Sequence, residues 1–102
     1  MAEFNNYRVY YYSTPRYSWD VRIDLYMDAT PVGSAFFIKA GNPVPANASV
    51  GGIPQLYYSI THCPAIMSML REEKPLYVSL NTLNGIGALS TSSEPVGDQE
   101  GV

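Results

Sequence analysis

The sequence predicts an α+β domain: an antiparallel meander of about four strands, one helix over about 64–74, and a C-terminal β-hairpin over about 76–91. Three observations carry this reading. Trp19, Val21, Ile23, Leu25 and Met27 alternate with Asp20, Arg22, Asp24, Tyr26 and Asp28, the mark of a strand with one buried face. Ile66, Met67, Met69 and Leu70 recur at spacings of three and four between Pro64 and Pro75, which is the stripe of an amphipathic helix. Asn84-Gly85 separates two β-rich runs and is the favoured pair for a two-residue hairpin turn.

Each element follows from local chemistry. Tyr7 to Ser13 is rich in β-formers and reads as the first strand, with Tyr7, Val9 and Tyr11 on one face and Arg8, Tyr10 and Tyr12 on the other. Ser13 to Ser18, with Pro15, is a short loop. Trp19 to Asp28 is the second strand, with Trp19 on the buried face and the acids outward. Ala29 to Gly33 reads as a turn centred on Pro31, and Ser34 to Ala40 as a third strand antiparallel to the second. Gly41 to Pro54 holds three prolines and three glycines and reads as a long, ordered loop lying on the sheet or on a neighbour. Leu56 to His62 resumes the alternation as a fourth strand. Pro64 suits a first helical position, where its missing N–H is not needed, and Pro75 ends the helix. Ile66, Met69 and Leu70 are expected to pack on Val21, Ile23 and Leu25. Leu76 to Leu83 is the fifth strand; a two-residue turn pairs Leu83 with Ile86 and Leu80 with Leu89, leaving Leu89 on the face of Leu76 and Val78.

With 102 residues the chain reads as one domain over 1–91, followed by an acidic, partly disordered tail over 92–102. The 15% charged content is low against about 25% for globular domains, which suggests that some surface is covered by another chain. Residues 1–91 carry six basic and six acidic groups, so Glu94, Asp98 and Glu100 of the tail account for the net charge of −3. A neutral body lacks the basic footprint that dominates nucleic-acid affinity. Cys63 is the only cysteine, which excludes an intrachain disulfide and fits a reducing compartment. No secretory leader or membrane-length apolar run is legible, so a cytoplasmic protein without membrane association is expected.

Nine tyrosines against three phenylalanines set the functional expectation, because tyrosine suits surfaces that are half wet and half buried. Tyr7, Arg8, Tyr10, Tyr11, Tyr12, Arg16, Tyr17 and Tyr57 form the candidate binding surface. Three readings of the cluster stay open: core and rim packing, a homo-oligomer contact, and a stacking platform for bases or sugars. His62-Cys63-Pro64 is the sharpest candidate for chemistry, since a cysteine at a helix N-terminus gains thiolate character. Neighbouring residues leaving a strand point to opposite faces, and no second histidine completes a relay, so a buried small thiol is the reading. Asp20 and Asp24 are about 13 Å apart along a strand, as are Asp24 and Asp28, too far to share a cation. Gly51-Gly52 and Gly85-Ile86-Gly87 lack the context of a phosphate loop. No catalytic residue, metal site or cofactor is assigned. The expectation is a non-enzymatic interaction module that forms a homodimer or higher oligomer, with a further protein partner allowed and single-stranded nucleic acid as the alternative ligand.

Leu70-Arg71-Glu72-Glu73-Lys74-Pro75-Leu76-Tyr77-Val78 and Ser93-Glu94-Pro95-Val96-Gly97 resemble segments of small uncharacterised bacterial proteins, a resemblance that implies no activity. In element order, four meandering strands and a helix resemble the Whirly-type single-stranded DNA-binding fold. The hairpin after the helix and the neutral body depart from it.

Overall fold

The computed structural model describes residues 1–92. The fold is α+β, with eight strands in two sheets and one α-helix among the described residues. In chain order the elements are β1 (Ala2–Phe4), β2 (Asn6–Tyr11), β3 (Trp19–Met27), β4 (Thr30–Ile38), β5 (Ala48–Val50), β6 (Ile53–Ser59), a 3₁₀ turn (Ile60–His62), α1 (Cys63–Glu72), β7 (Leu76–Asn81) and β8 (Ile86–Thr91). The larger sheet has the order β2-β3-β4-β6-β5 and the smaller β1-β7-β8.

β2, β3 and β4 form the expected antiparallel meander. The fourth strand of the reading, β6, instead runs parallel to β4. The chain leaves β4, passes over the place that β6 will take, returns as β5, and turns back through Gly51 and Gly52 into the gap. Both glycines have positive φ, which glycine adopts without steric penalty. Half of the expected 41–54 loop is therefore a small hairpin. Asn47 fastens its start: Oδ1 accepts the Tyr57 N–H at 2.8 Å and Nδ2 donates to the Gly85 carbonyl at 3.0 Å.

Two turns differ from the sequence reading. The β3–β4 turn is at Asp28-Ala29, with Pro31 inside β4. Asp28 sits at φ 55°, a conformation that aspartate tolerates through local hydrogen bonding. Its N–H donates to Asn5 Oδ1 at 2.7 Å, and Asn5 Nδ2 returns a bond to Asp28 Oδ1 at 3.0 Å. The β7–β8 loop has four residues, Thr82 to Gly85, so Asn81 opposes Ile86 and Val78 opposes Leu89. Asn81 Oδ1 accepts the Leu83 N–H and Asn84 Oδ1 accepts the Ile86 N–H. These side-chain caps hold a wider loop, and Leu83, 97% exposed, has no packing to pull it into the ladder. The shift is two residues, so Leu89 keeps its expected face.

The hairpin does not extend the large sheet. It pairs through β7 with β1, an N-terminal strand too short to register in the alternation pattern. The small sheet and α1 cover one face of the large one. Val21, Ile23, Leu25, Ala35, Phe37 and Leu56 of the large sheet meet Phe4, Leu76 and Val78 of the small sheet and Cys63 and Leu70 of the helix. Ile66 and Met69 pack against this cluster as expected, and Met67 joins them. Each large side chain removed from water here contributes roughly 1.5–3 kcal/mol. The acidic tail read over 92–102 lies, from Ser93 onward, outside the described residues.

Candidate aromatic face of the five-stranded sheet

The other face of the large sheet is not packed by α1 or by the small sheet. Its residues form a grid set by strand register. Tyr10, Arg22, Phe36 and Tyr57 lie in one row across β2, β3, β4 and β6. Arg8, Asp24, Ser34 and Gln55 form the next row. Trp19 and Ile38 pair beyond the first row.

Trp19 corrects the reading that placed it in the core. Between Trp19 and Val21 the register with β4 shifts by one residue, a bulge that puts Trp19 and Val21 on opposite faces. The indole therefore stacks on Tyr17 (centroids 4.9 Å, 12°) and meets the Phe36 ring edge-on at 5.0 Å. This completes a run of six rings. Tyr10 stacks on Tyr12 at 6.0 Å, Tyr12 meets Tyr17 edge-on at 5.2 Å, and Phe36 stacks on Tyr57 at 5.1 Å. Offset stacks and edge contacts at these separations suit the ring quadrupoles. Phe36 and Ile38 are consequently buried although neither belongs to the main core.

Arg22 threads this aromatic run. Its guanidinium lies 5.3 Å from the Phe36 centroid, a cation–π separation. Its Nε donates to Asp24 Oδ1 at 2.8 Å, and the same oxygen accepts from Ser34 Oγ at 2.8 Å. Partial burial opposes the charge on Arg22, but the hydrogen bond and the charge of Asp24 outweigh it and raise its pKa. At the strand end, Lys39 Nζ donates to the Thr14 carbonyl at 2.8 Å and lies 3.8 Å from Asp20 Oδ1. Trp19 Nε1 is buried and has no hydrogen-bond partner among the described residues.

The expected site residues divide. Tyr10, Tyr12, Tyr17 and Tyr57 join the ring run, and Arg8 donates to the Tyr10 hydroxyl at 3.3 Å. Tyr7 packs against the main core on the opposite face. Tyr11 is 70% exposed at the end of β2. Arg16 is exposed in the 12–18 loop, where its N–H is held by Thr14 Oγ1 at 3.1 Å. Trp19 and Phe36 are not among the expected site residues. Phe36 was legible as the partner of Ile38 on one strand face, whereas nothing in the sequence marks the bulge that delivers Trp19.

Comparison with family models, curated proteins and solved structures finds no match.

Elsewhere, Cys63 is buried as the first residue of α1, and burial pushes its thiol pKa up rather than toward a thiolate. The His62 ring meets Tyr58 at 6.2 Å, edge to face. Among the described residues no three His, Cys, Asp or Glu side chains gather in a metal-binding group, and no helix is long and apolar enough to cross a membrane. A cleft of about 440 Å³ opens between β1 and the end of α1, floored by Phe4, Leu70 and Leu76. Its rim carries Glu3 and Glu73 against Arg71 and Lys74, so the charges balance.

Proposed function

We propose that this protein is a non-enzymatic interaction module that self-associates, two copies joining edge to edge through β2. The carrying observation is that β2 is an open edge whose one charged residue is Arg8. It pairs only with β3 among the described residues. The Tyr12 N–H donates to the Asp20 carbonyl at 2.8 Å, so antiparallel alternation points the backbone N–H and C=O of Tyr7, Val9 and Tyr11 away from β3. Edge strands are commonly protected by lysine, proline, a bulge or a covering segment. The strand Asn-Tyr-Arg-Val-Tyr-Tyr contains no lysine or proline.

Register follows from symmetry. A two-fold antiparallel pair must set like faces together. Centring on Val9 does so, placing Arg8 opposite the partner subunit's Tyr10 and Tyr7 opposite the partner subunit's Tyr11. Centring on Arg8 would set two guanidinium groups face to face, which is unfavourable. The Val9-centred register covers the exposed Tyr11 ring, brings each Arg8 beside an aromatic ring, and continues the aromatic face across both copies.

Sedimentation equilibrium at high micromolar concentration tests this. A dimer is expected for the natural chain. Tyr11→Pro removes an outward N–H and an exposed ring while sparing the β2–β3 ladder, and is expected to give a folded monomer. A natural chain that is monomeric, or a Tyr11→Pro variant that remains dimeric, overturns the reading. Single-stranded nucleic acid on the tyrosine-rich face has less support: the rings stack on one another and Arg22 is held by Asp24, whereas such ligands need displayed rings in a positive groove.

A further inference from the structure

We infer that the same sheet face carries, toward its β5 edge, a binding site for a neutral sugar ring. A cleft of about 290 Å³ lies between Arg22, Asp24 and Ser34 on its floor, Tyr26 and Pro31 on one side, and residues of the β5–β6 hairpin with Gln55 on the other. It is at the small end of ligand pockets.

The floor is held in place. Asp24 Oδ1 is occupied by Arg22 Nε and Ser34 Oγ, each at 2.8 Å. Ser34 is buried, and the Asp24 side chain is only 14% exposed. What is left over defines the ligand. Among the described residues, Asp24 Oδ2 remains as an acceptor, and the Arg22 Nη groups and Gln55 Nε2 remain as donors. Vicinal hydroxyl groups donate and accept at once, so a pyranose edge satisfies a carboxylate oxygen beside guanidinium and amide N–H groups. The Arg22–Asp24 pair is net neutral, which disfavours phosphate and carboxylate ligands. Tyr26, Pro31, Val50 and Ile53 supply the apolar wall against which the C–H face of a sugar packs.

One feature sets this cleft apart from the β1–α1 cleft: its polar lining side chains are fixed by hydrogen bonds to one another. Its floor residues Arg22 and Asp24 sit on β3 beside Tyr10 and Arg8 of β2, and none of its lining residues belongs to β2 itself.

The test is amide-resolved NMR of the full chain titrated with methyl glycosides of glucose, galactose and mannose, with guanosine as a planar competitor. At least one glycoside is expected to shift the amides of Asp24, Ser34 and Gln55 at millimolar concentration. Gln55→Ala, which leaves the Arg22–Asp24–Ser34 bonds in place, is expected to weaken that binding about tenfold, the scale of one hydrogen bond in a dry site. Asp24→Asn is expected to weaken it by at least as much. No shift from any glycoside overturns the proposal, as do shifts that survive Gln55→Ala unchanged. Shifts caused by guanosine alone overturn it in favour of a planar base.

Discussion

At the scale of single residues, Trp19 carries the most information. Its ring is central to the aromatic run, yet its indole N–H is buried without a partner among the described residues. An unpaired buried donor costs about 1–3 kcal/mol. Trp19→Phe loses ring area but also removes that orphan. The two effects oppose, so the variant is expected to change unfolding stability by less than about 1 kcal/mol, measured by urea denaturation. A loss several times larger would mean that the N–H is bonded in solution. The sequence could not place this residue. Trp19 fits the period-two pattern of Val21, Ile23 and Leu25 perfectly, and the bulge that reverses it arises from pairing with β4 rather than from any local signal.

At the scale of elements, close approach between the two sheets sets what each strand tolerates. A Cβ on Gly87 of β8 would collide with the Leu56 side chain of β6. A strand glycine often marks such an approach. Gly87→Ala is expected to destabilise the fold by about 1–3 kcal/mol, as overpacking does, and adding Leu56→Val should recover part of the loss. Equal destabilisation with and without Leu56→Val, in the same denaturation assay, would count against the contact. The elements themselves were largely legible. The β3 alternation, the helix between Pro64 and Pro75, and the C-terminal hairpin all stand where side-chain period and proline chemistry put them. Three things were not. β1 is only three residues long and its pattern is too short to read. Gly41 to Pro54 looks like punctuation, and β5 forms there because β6 offers it a ladder, not because Ala48–Val50 favours a strand. The β7–β8 turn follows its asparagine caps rather than the Asn-Gly pair alone.

At the scale of the whole molecule, a buried thiol and a half-buried phenol link stability to pH. Burial raises the Cys63 thiol, and burial likewise raises the Tyr58 phenol against a smaller opposing contribution from a Leu89 backbone hydrogen bond. Below about pH 7.5 both groups are essentially neutral in the folded and unfolded chain, and their contribution is fully present. As pH rises further the unfolded chain releases its protons first, so stability falls through the raised values. Urea midpoints are therefore expected to hold steady up to about pH 7.5 and to decline above it, with the decline shallower in Cys63→Ala and in Tyr58→Phe. An unchanged slope in both variants would place the alkaline loss elsewhere. The same scale relates the two functional proposals: pairing uses the outer edge of β2, and the cleft runs from β3, the next strand, to the β5–β6 hairpin.

The insertion of β6 between β4 and β5 also bears on how the chain is made. β4 is buried on both faces, and Phe36, Phe37 and Ile38 are among its least exposed residues. Its second ladder comes from a strand that starts at Ile53 and ends at Ser59. At about 5–20 residues per second, Ser59 follows Ile38 out of the ribosome by roughly one to four seconds. During that interval β4 has one edge open, and β5, which reaches the growing sheet only by pairing with β6, cannot shield it sooner.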